Sequence, residues 1–166
     1  MNTVVATSQI PEKSIISKNF RKIHYCDSYS TLISTGETVD AITTKIFSLP
    51  PAIKKLFTLR NFIAKRLGLK TGDNTATSAP FYPVGSRAVL FPVTDRNDLE
   101  IVMAEDDKHL NFRTSVMIES IDGLTQVCLT TIVHFNNTLG RLYSGPVKPF
   151  HKAMIKSRLK NLKNEN

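Results

Sequence analysis

The run HLNFRTSVMIESIDGLTQVCLTTIVHF, His109–Phe135, decides how the rest of the chain must fold. Leu110, Phe112, Val116 and Ile118 alternate with His109, Asn111, Arg113, Ser115 and Glu119, the two-residue period of a strand buried on one side. The run after Asp122-Gly123 repeats the alternation. A two-residue Asp-Gly loop favours a type I′ turn, whose twist matches the strands and whose positive φ glycine tolerates. That turn pairs Ile121 with Leu124 and, counting outward, Ile118 with Val127, Val116 with Leu129, Thr114 with Thr131, Phe112 with Val133 and Leu110 with Phe135. One face of the hairpin is therefore apolar along its length. The other opposes Glu119 to Gln126, Met117 to Cys128, Ser115 to Thr130, Arg113 to Ile132 and Asn111 to His134. A one-residue slip would mix the two faces, so the register is strongly specified.

Beyond the hairpin, Asn136-Asn137 makes a turn and LGRLYSGPVKPFHKAMIKSRLKNL sets Leu139, Leu142, Tyr143, Phe150, Met154, Leu159 and Leu162 at roughly helical spacing. Lys148, Lys152, Lys156, Arg158, Lys160 and Lys163 fill much of the remainder. Gly145, Pro146 and Pro149 predict a kink or a restart near Ser144. An apolar sheet face needs a cover, and this final helix is the only element long enough to supply one.

Upstream elements are built onto that frame. Residues 1–20 have weak periodicity and predict a poorly ordered arm or an edge addition. Arg21–Ser34 alternates Ile23, Tyr25, Asp27 and Tyr29 with Lys22, His24, Cys26 and Ser28, a strand pattern. An acidic residue between two tyrosines is unusual for an inner face, which leaves open that this is the outer one. Thr38 caps a helix with Val39, Ile42, Ile46 and Leu49 on one side, and Pro50-Pro51 ends it and starts a second, with Ile53, Leu56, Phe57, Ile63 and Leu67 inward. Lys70–Pro83 has the composition of a surface loop and is a candidate lid. SRAVLFPVT and DLEIVMAE form a hairpin about Asp95 to Asp98, with Pro92 suited to an edge strand. A tight turn at Asp106-Asp107 then sets Met103 opposite Leu110 and Ile101 opposite Phe112. The expectation is one α+β domain over residues 21–163. Its antiparallel sheet curls around a long C-terminal helix, and a two-helix insertion follows the first strand.

The chain has 166 residues, 41% of them hydrophobic, enough to bury a core without disulfides or metal. Cys26 and Cys128 lie in strand-like runs and have no metal-ligand spacing, so they read as small buried hydrophobes in a reducing compartment. No apolar run reaches the length of about 18 residues that a membrane span needs. The start, MNTVVATSQIPEK, lacks the basic and apolar regions of a secretory signal, and cytoplasmic residence is expected. The net charge of +8 is concentrated in Lys54, Lys55, Arg60, Lys65, Arg66 and Lys70 and in the final helix. Both groups interleave with apolar residues as solvated helix faces do. With no Trp and no aromatic cluster among the basic residues, a nucleic-acid partner is disfavoured.

The element order resembles the helix-grip (SRPBCC) superfamily of START lipid-transfer domains, the birch-pollen allergen and aromatic polyketide cyclases. Phe47-Ser48-Leu49-Pro50-Pro51, Leu59-Arg60, Leu67-Gly68-Leu69-Lys70, Asp106 to Arg113, Leu139-Gly140-Arg141 and Pro149-Phe150-His151-Lys152 resemble the signature of a bacterial domain-of-unknown-function family within it. The resemblance implies a START-like fold and a cavity between sheet and helix for an apolar or amphipathic small molecule. It carries no catalytic residues and implies no cofactor or metal.

The expected ligand contacts are Met103, Phe112, Arg113 and Val133 from the sheet and Leu142, Tyr143, Phe150 and Met154 from the helix. On the polar sheet face, Asn111, Arg113 and His134 are ordinary surface partners if that face is exposed, and if it lines a groove Arg113 can hold a carboxylate bidentately. Asp106, Asp107 and His109 share a turn, where backbone preference alone favours Asp, and His151 reads as a packing or surface histidine. No phosphate loop, nucleophile elbow, zinc helix or CxxC pair is present. A small cyclase-like or hydratase-like enzyme, or a basic adaptor for anionic lipid or nucleic acid, stand as the alternative functions. Met117, Cys128 and Ile132 on the otherwise polar sheet face point to self-association as a homodimer.

Overall fold

The computed structural model describes residues 4–48, 65 and 78–164. The described chain is α+β. Strands β1 (Val5–Thr7), β2 (Tyr25–Ile33), β3 (Arg87–Ala88), β4 (Phe91–Arg96), β5 (Glu100–Asp106), β6 (Leu110–Ile121) and β7 (Leu124–Phe135) form one seven-stranded sheet in the order β1-β2-β7-β6-β5-β4-β3. Every neighbouring pair is antiparallel. Helices α1 (Val39–Phe47) and α2 (Thr138–Asn164) are the described helices of full length.

The β6–β7 hairpin has the register that its sequence dictates, from Ile121 opposite Leu124 to Leu110 opposite Phe135. Asp122 and Gly123 at its tip have φ of 49° and 78°, the two positive values a type I′ turn requires. The β5–β6 connection corrects the expectation. Its turn spans Asp107 to Leu110, closed by the Asp107 amide donating to the Leu110 carbonyl at 2.9 Å, and Met103 lies opposite Thr114 and Ile101 opposite Val116. Because the difference from the expected register is an even number of residues, each side chain keeps its face and the apolar surface survives.

One side of the sheet carries the main core, with Val93, Ile101, Met103, Val116, Val127, Leu129, Tyr29 and Ile33 buried beneath Val39, Ile42 and Ile46 of α1 and Ile155, Leu159 and Leu162 of α2. Thr38 caps α1, its hydroxyl accepting from the Ala41 amide at 3.3 Å. At the other end Arg158 of α2 donates through Nε to the Ile46 carbonyl at 2.9 Å, and also to the Lys45 carbonyl. A guanidinium there satisfies carbonyls left free by the helix end and complements its dipole. Asp40 in the first turn of α1 binds Arg96 through both carboxylate oxygens, at 2.8 and 3.1 Å, and accepts from the Tyr82 amide at 2.8 Å. Tyr82 is fully buried, so the end of the segment expected to be a surface loop is an anchor. The expected second helix, the remainder of the candidate lid and the basic residues Lys54, Lys55, Arg60, Arg66 and Lys70 lie outside the described residues.

Residues 10–20 cover the opposite side. β1 adds to the edge of β2, and Ile10, Ile15, Ile16 and Phe20 pack on Val102, Ile132 and Cys26. Glu100, buried, accepts from the Ser14 hydroxyl at 2.6 Å and the Ile15 amide at 2.7 Å, which fixes this segment to the sheet. Met117, Cys128 and Ile132 are thus buried within the chain, and their apolar character needs no second copy. Burial pushes the Cys128 thiol up to about 11 and raises that of Cys26, and both cysteines are free.

Helix α2 is one continuous helix through Pro146 and Pro149, without the restart that is one of the two expectations near Ser144. Both prolines are exposed, so the carbonyls they leave unbonded can turn to water. The amino end of α2 is capped by Asn137, whose side-chain oxygen accepts from the Gly140 amide at 3.0 Å. Gly140 lies so close to the β5–β6 turn that a Cβ there would stand 2.1 Å from the His109 carbonyl oxygen. Gly145, one turn on, has open space around it.

Alanine at these two glycines is therefore expected to have opposite effects. Gly140→Ala forces the helix off the turn and costs about 1–3 kcal/mol, whereas Gly145→Ala stabilises by up to about 1 kcal/mol through helix propensity. Urea unfolding of the two variants checks the pair, and equal effects of the same sign would contradict the docking of α2 on the turn.

Candidate functional site

Across the helix-facing side of the sheet, register pairing arranges side chains in rows. Tyr29, Leu129, Val116 and Ile101 form a row that is apolar and buried. The next row toward the open end is Asp27, Thr131, Thr114 and Met103, and its first three members are buried and polar. The row after that, Tyr25, Val133 and Phe112, is half-buried. A line of polar groups thus separates the close-packed core from a partly open apolar strip. Thr114 and Thr131 hydroxyls stand 3.4 Å apart, while Asp27 looks up at α2.

The Tyr25 hydroxyl donates to Asp27 Oδ2 at 2.7 Å. The other carboxylate oxygen, Oδ1, faces His151 Nε2 of α2 at 3.9 Å, and neither atom has a hydrogen-bond partner. Only 7% of the Asp27 side chain is exposed, so its charge is held largely out of water. Lys148 of α2 lies 4.4 Å from the Tyr25 ring centre and Lys156 5.9 Å from that of Tyr29.

These surroundings set the protonation states. Burial lowers the His151 pKa below its ordinary value of 6.5, Lys152 lowers it further, and Asp27 opposes both without reversing them. The imidazole is therefore neutral at pH 7, free to present either a lone pair or an N–H at Nε2 according to its tautomer. Burial first, then the hydrogen bond and charge of Asp27, raise the Tyr25 pKa far above the usual phenol range, which keeps that hydroxyl a donor. Burial and Asp27 raise Tyr29 as well. A neutral imidazole, a carboxylate and a phenol on one seam can bind a polar group or exchange a proton with it.

The expected contact residues divide. Phe112 and Val133 are direct cross-strand partners on the helix side, with Met103 in the adjoining row and fully buried. Tyr143 and Met154 are half-buried along α2. Leu142 and Phe150, expected to point inward, are 74% and 41% exposed. The inward stripe follows Gly140, Ser144, His151, Ile155, Leu159 and Leu162, because apolar residues flanking the prolines drew the expected stripe off its true phase. Arg113 lies on the opposite side of the sheet, where it grips Asp106 at 2.5 and 3.3 Å and stacks over Phe20 at 5.2 Å. It is a fastener of the amino-terminal segment, not a partner of the others.

His109 contacts the Asn137 side chain and belongs to the docking of α2 on its turn. His134 stacks on His24 at 4.5 Å, and its Nδ1 donates to the Lys22 carbonyl 2.7 Å away, so Nδ1 carries the proton. His24 accepts from the Phe135 amide at 3.0 Å. Its pKa is lowered by burial, by His134 and by the nearby cations Arg141 and Lys22. Among the described residues no grouping of His, Cys, Asp and Glu could hold a metal ion, and no helix is long and apolar enough to cross a membrane.

The Asp27–His151 pair escaped sequence reasoning because its members lie on elements far apart in the chain. The signal available was the acidic residue set between Tyr25 and Tyr29 in a strand whose neighbours face inward. The family model of a protein of unknown function, DUF2867, matches residues 19–158, a span that includes both members of the pair. No curated protein matches.

Replacing Asp27 tests the electrostatics directly. Asp27→Asn removes the one neighbour that raises the His151 pKa, so the imidazole should titrate lower than in the wild type, as read by NMR of its ring protons. Folding linkage follows the same sign. His151 and His24 are both depressed in the native state, so the unfolded chain binds protons first as pH falls. Stability should be full above the ordinary histidine value near 6.5 and decline as pH falls through it toward the folded values. His151→Gln should flatten part of that slope in thermal melts between pH 8 and pH 5, and an unchanged slope would remove His151 from the account.

Proposed function

The chain belongs to the DUF2867 family, described as of unknown function, and from that premise we propose that it binds an amphipathic small molecule at the seam between α2 and the sheet. The polar end of the ligand meets Asp27 and His151. Its apolar body lies along Phe112, Val133, Tyr143 and Met154, with Met103 beneath. The reading fits a helix-grip architecture, in which an antiparallel sheet holds a long C-terminal helix, and it keeps the protein among START-like binders in the SRPBCC superfamily.

One observation carries the proposal: Asp27 Oδ1 and His151 Nε2 face one another 3.9 Å apart, buried and without hydrogen-bond partners. A buried polar atom left unpaired costs about 1–3 kcal/mol, so a ligand group that satisfies both gains what the protein alone forgoes. A hydroxyl has the matching valence, donating to the carboxylate and accepting from an imidazole N–H. The half-buried aromatic strip beside it favours an aromatic or aliphatic body.

A second reading assigns the pair to acid-base chemistry on the same molecule. It rests on the lowered His151 pKa, since a neutral imidazole next to a carboxylate is suited to taking a proton near pH 7. The two readings share a site and differ in whether a bound molecule leaves unchanged.

Native mass spectrometry of the protein purified from its own host, followed by denaturing extraction, should show a stoichiometric adduct that is released as a small hydroxylated amphiphile. Asp27→Ala and His151→Ala should each retain at least about tenfold less of it, the order expected for losing one buried hydrogen bond to a charged group. Circular dichroism checks that both variants are folded. A wild type with a clean apo mass, joined by no thermal shift with hydroxylated fatty acids or phenols, would sink the binding proposal. Conversion of the extracted molecule on re-addition would promote the enzymatic reading.

A further inference from the structure

Helix α2 has a second surface that the sheet does not use. At about 100° per residue, its sheet side is fixed by Gly140, Ser144, Ile155, Leu159 and Leu162, all buried. The opposite side presents Leu142, Pro146, Pro149, Phe150 and Ala153, all exposed. Leu142, at 74%, is the most exposed large apolar side chain among the described residues, and Phe150 is 41% exposed. Beside this strip stand Lys152 and Lys160, also exposed. Every charged residue from Thr138 to Asn164 is Lys or Arg, with no carboxylate in 27 residues, so most of the net charge of +8 resides on this helix.

A solvated helix face ordinarily mixes signs, because Glu–Lys pairs a turn apart support it and like charges repel. Here the repulsion is uncompensated within the helix, and bulky apolar groups stand in water beside it. Each feature is unfavourable in solution, and both become favourable at one kind of surface. We infer that the outer face of α2 docks lengthwise on an anionic lipid bilayer, with Leu142 and Phe150 entering the headgroup boundary and Lys152 and Lys160 meeting lipid phosphates. Apolar groups buried to this shallow depth and lysines at the interface are the two terms that hold an interfacial helix on a membrane. A nucleic-acid backbone would satisfy the lysines but give Leu142 nothing to bury against. The docking does not rest on ligand binding, because Asp27 and His151 lie on the sheet side of the same helix.

Sedimentation of the full chain with sucrose-loaded vesicles tests it. The protein should pellet with phosphatidylcholine–phosphatidylglycerol vesicles, stay in the supernatant with phosphatidylcholine alone, and be released as the Debye length shrinks from about 10 Å at 0.1 M salt to about 3 Å at 1 M. Lys152→Gln/Lys160→Gln should weaken partition about fivefold per lysine, on the order of 25-fold in all. Leu142→Gln/Phe150→Gln should weaken it by at least about tenfold. These positions are exposed, and unchanged thermal midpoints confirm that the variants are folded. A wild type left in the supernatant with both vesicles overturns the inference. So does vesicle binding that is indifferent to Leu142→Gln/Phe150→Gln and is displaced by an equal charge of duplex RNA, which would identify a general polyanion site.

Discussion

The position of α2 is the constraint on which the rest depends, and it is held at two places. Near its start, Gly140 lets the helix backbone approach the His109 carbonyl closer than any side chain would permit. Further along, Arg158 binds the last carbonyls of α1. Two fixed points on a rigid rod determine its rotation as well as its place. His151 follows Gly140 by about three turns and so returns to the same side, over Asp27. A rotation by one residue, about 100°, would carry that histidine into water and bring Phe150 or Lys152 over the carboxylate.

This placement explains why a polar pair is tolerated in the interior. Asp27 belongs to a row whose other buried polar members, Thr131 and Thr114, can contact one another, and Tyr25 satisfies one of its oxygens. The second oxygen and the imidazole share an electrostatic attraction without a hydrogen bond. Desolvation exceeds that attraction in setting the protonation of His151, which is why the imidazole is held neutral and the two groups do not form an ion pair. Such an arrangement contributes little to stability and leaves both groups available for chemistry.

The two sides of the sheet are closed by different means. On one, α1 and α2 bury aliphatic side chains. On the other, an amino-terminal segment with little regular structure does so by anchoring Ile16 and by presenting its own donors to buried Glu100. The carboxylate acts there as a cap for chain that makes few backbone pairs of its own, which satisfies the rule that buried polar groups find partners. Arg113 has a related part, joining Asp106 and Phe20.

Strand patterns were legible in the sequence because side chains alternate with a fixed period and Asp122-Gly123 admits one turn geometry. The β6–β7 register and its two faces follow from those residues alone. The α1 cap at Thr38 was legible for the same reason, since both signals are local. The phase of α2 was not, because Leu142 and Phe150 suit a buried stripe as well as Ser144 and His151 suit a surface, and only docking at Gly140 and Arg158 decides between them. The β5–β6 turn depended on which of several polar residues closes the loop, a choice settled by the packing of Asn136, Asn137 and His109. The Asp27–His151 pair required both the inward face of β2 and the rotation of α2. Sequence determined the elements and their faces, which rest on periodicity along the chain, while tertiary structure alone decided which polar groups meet, because burial and facing are properties of elements brought together in space.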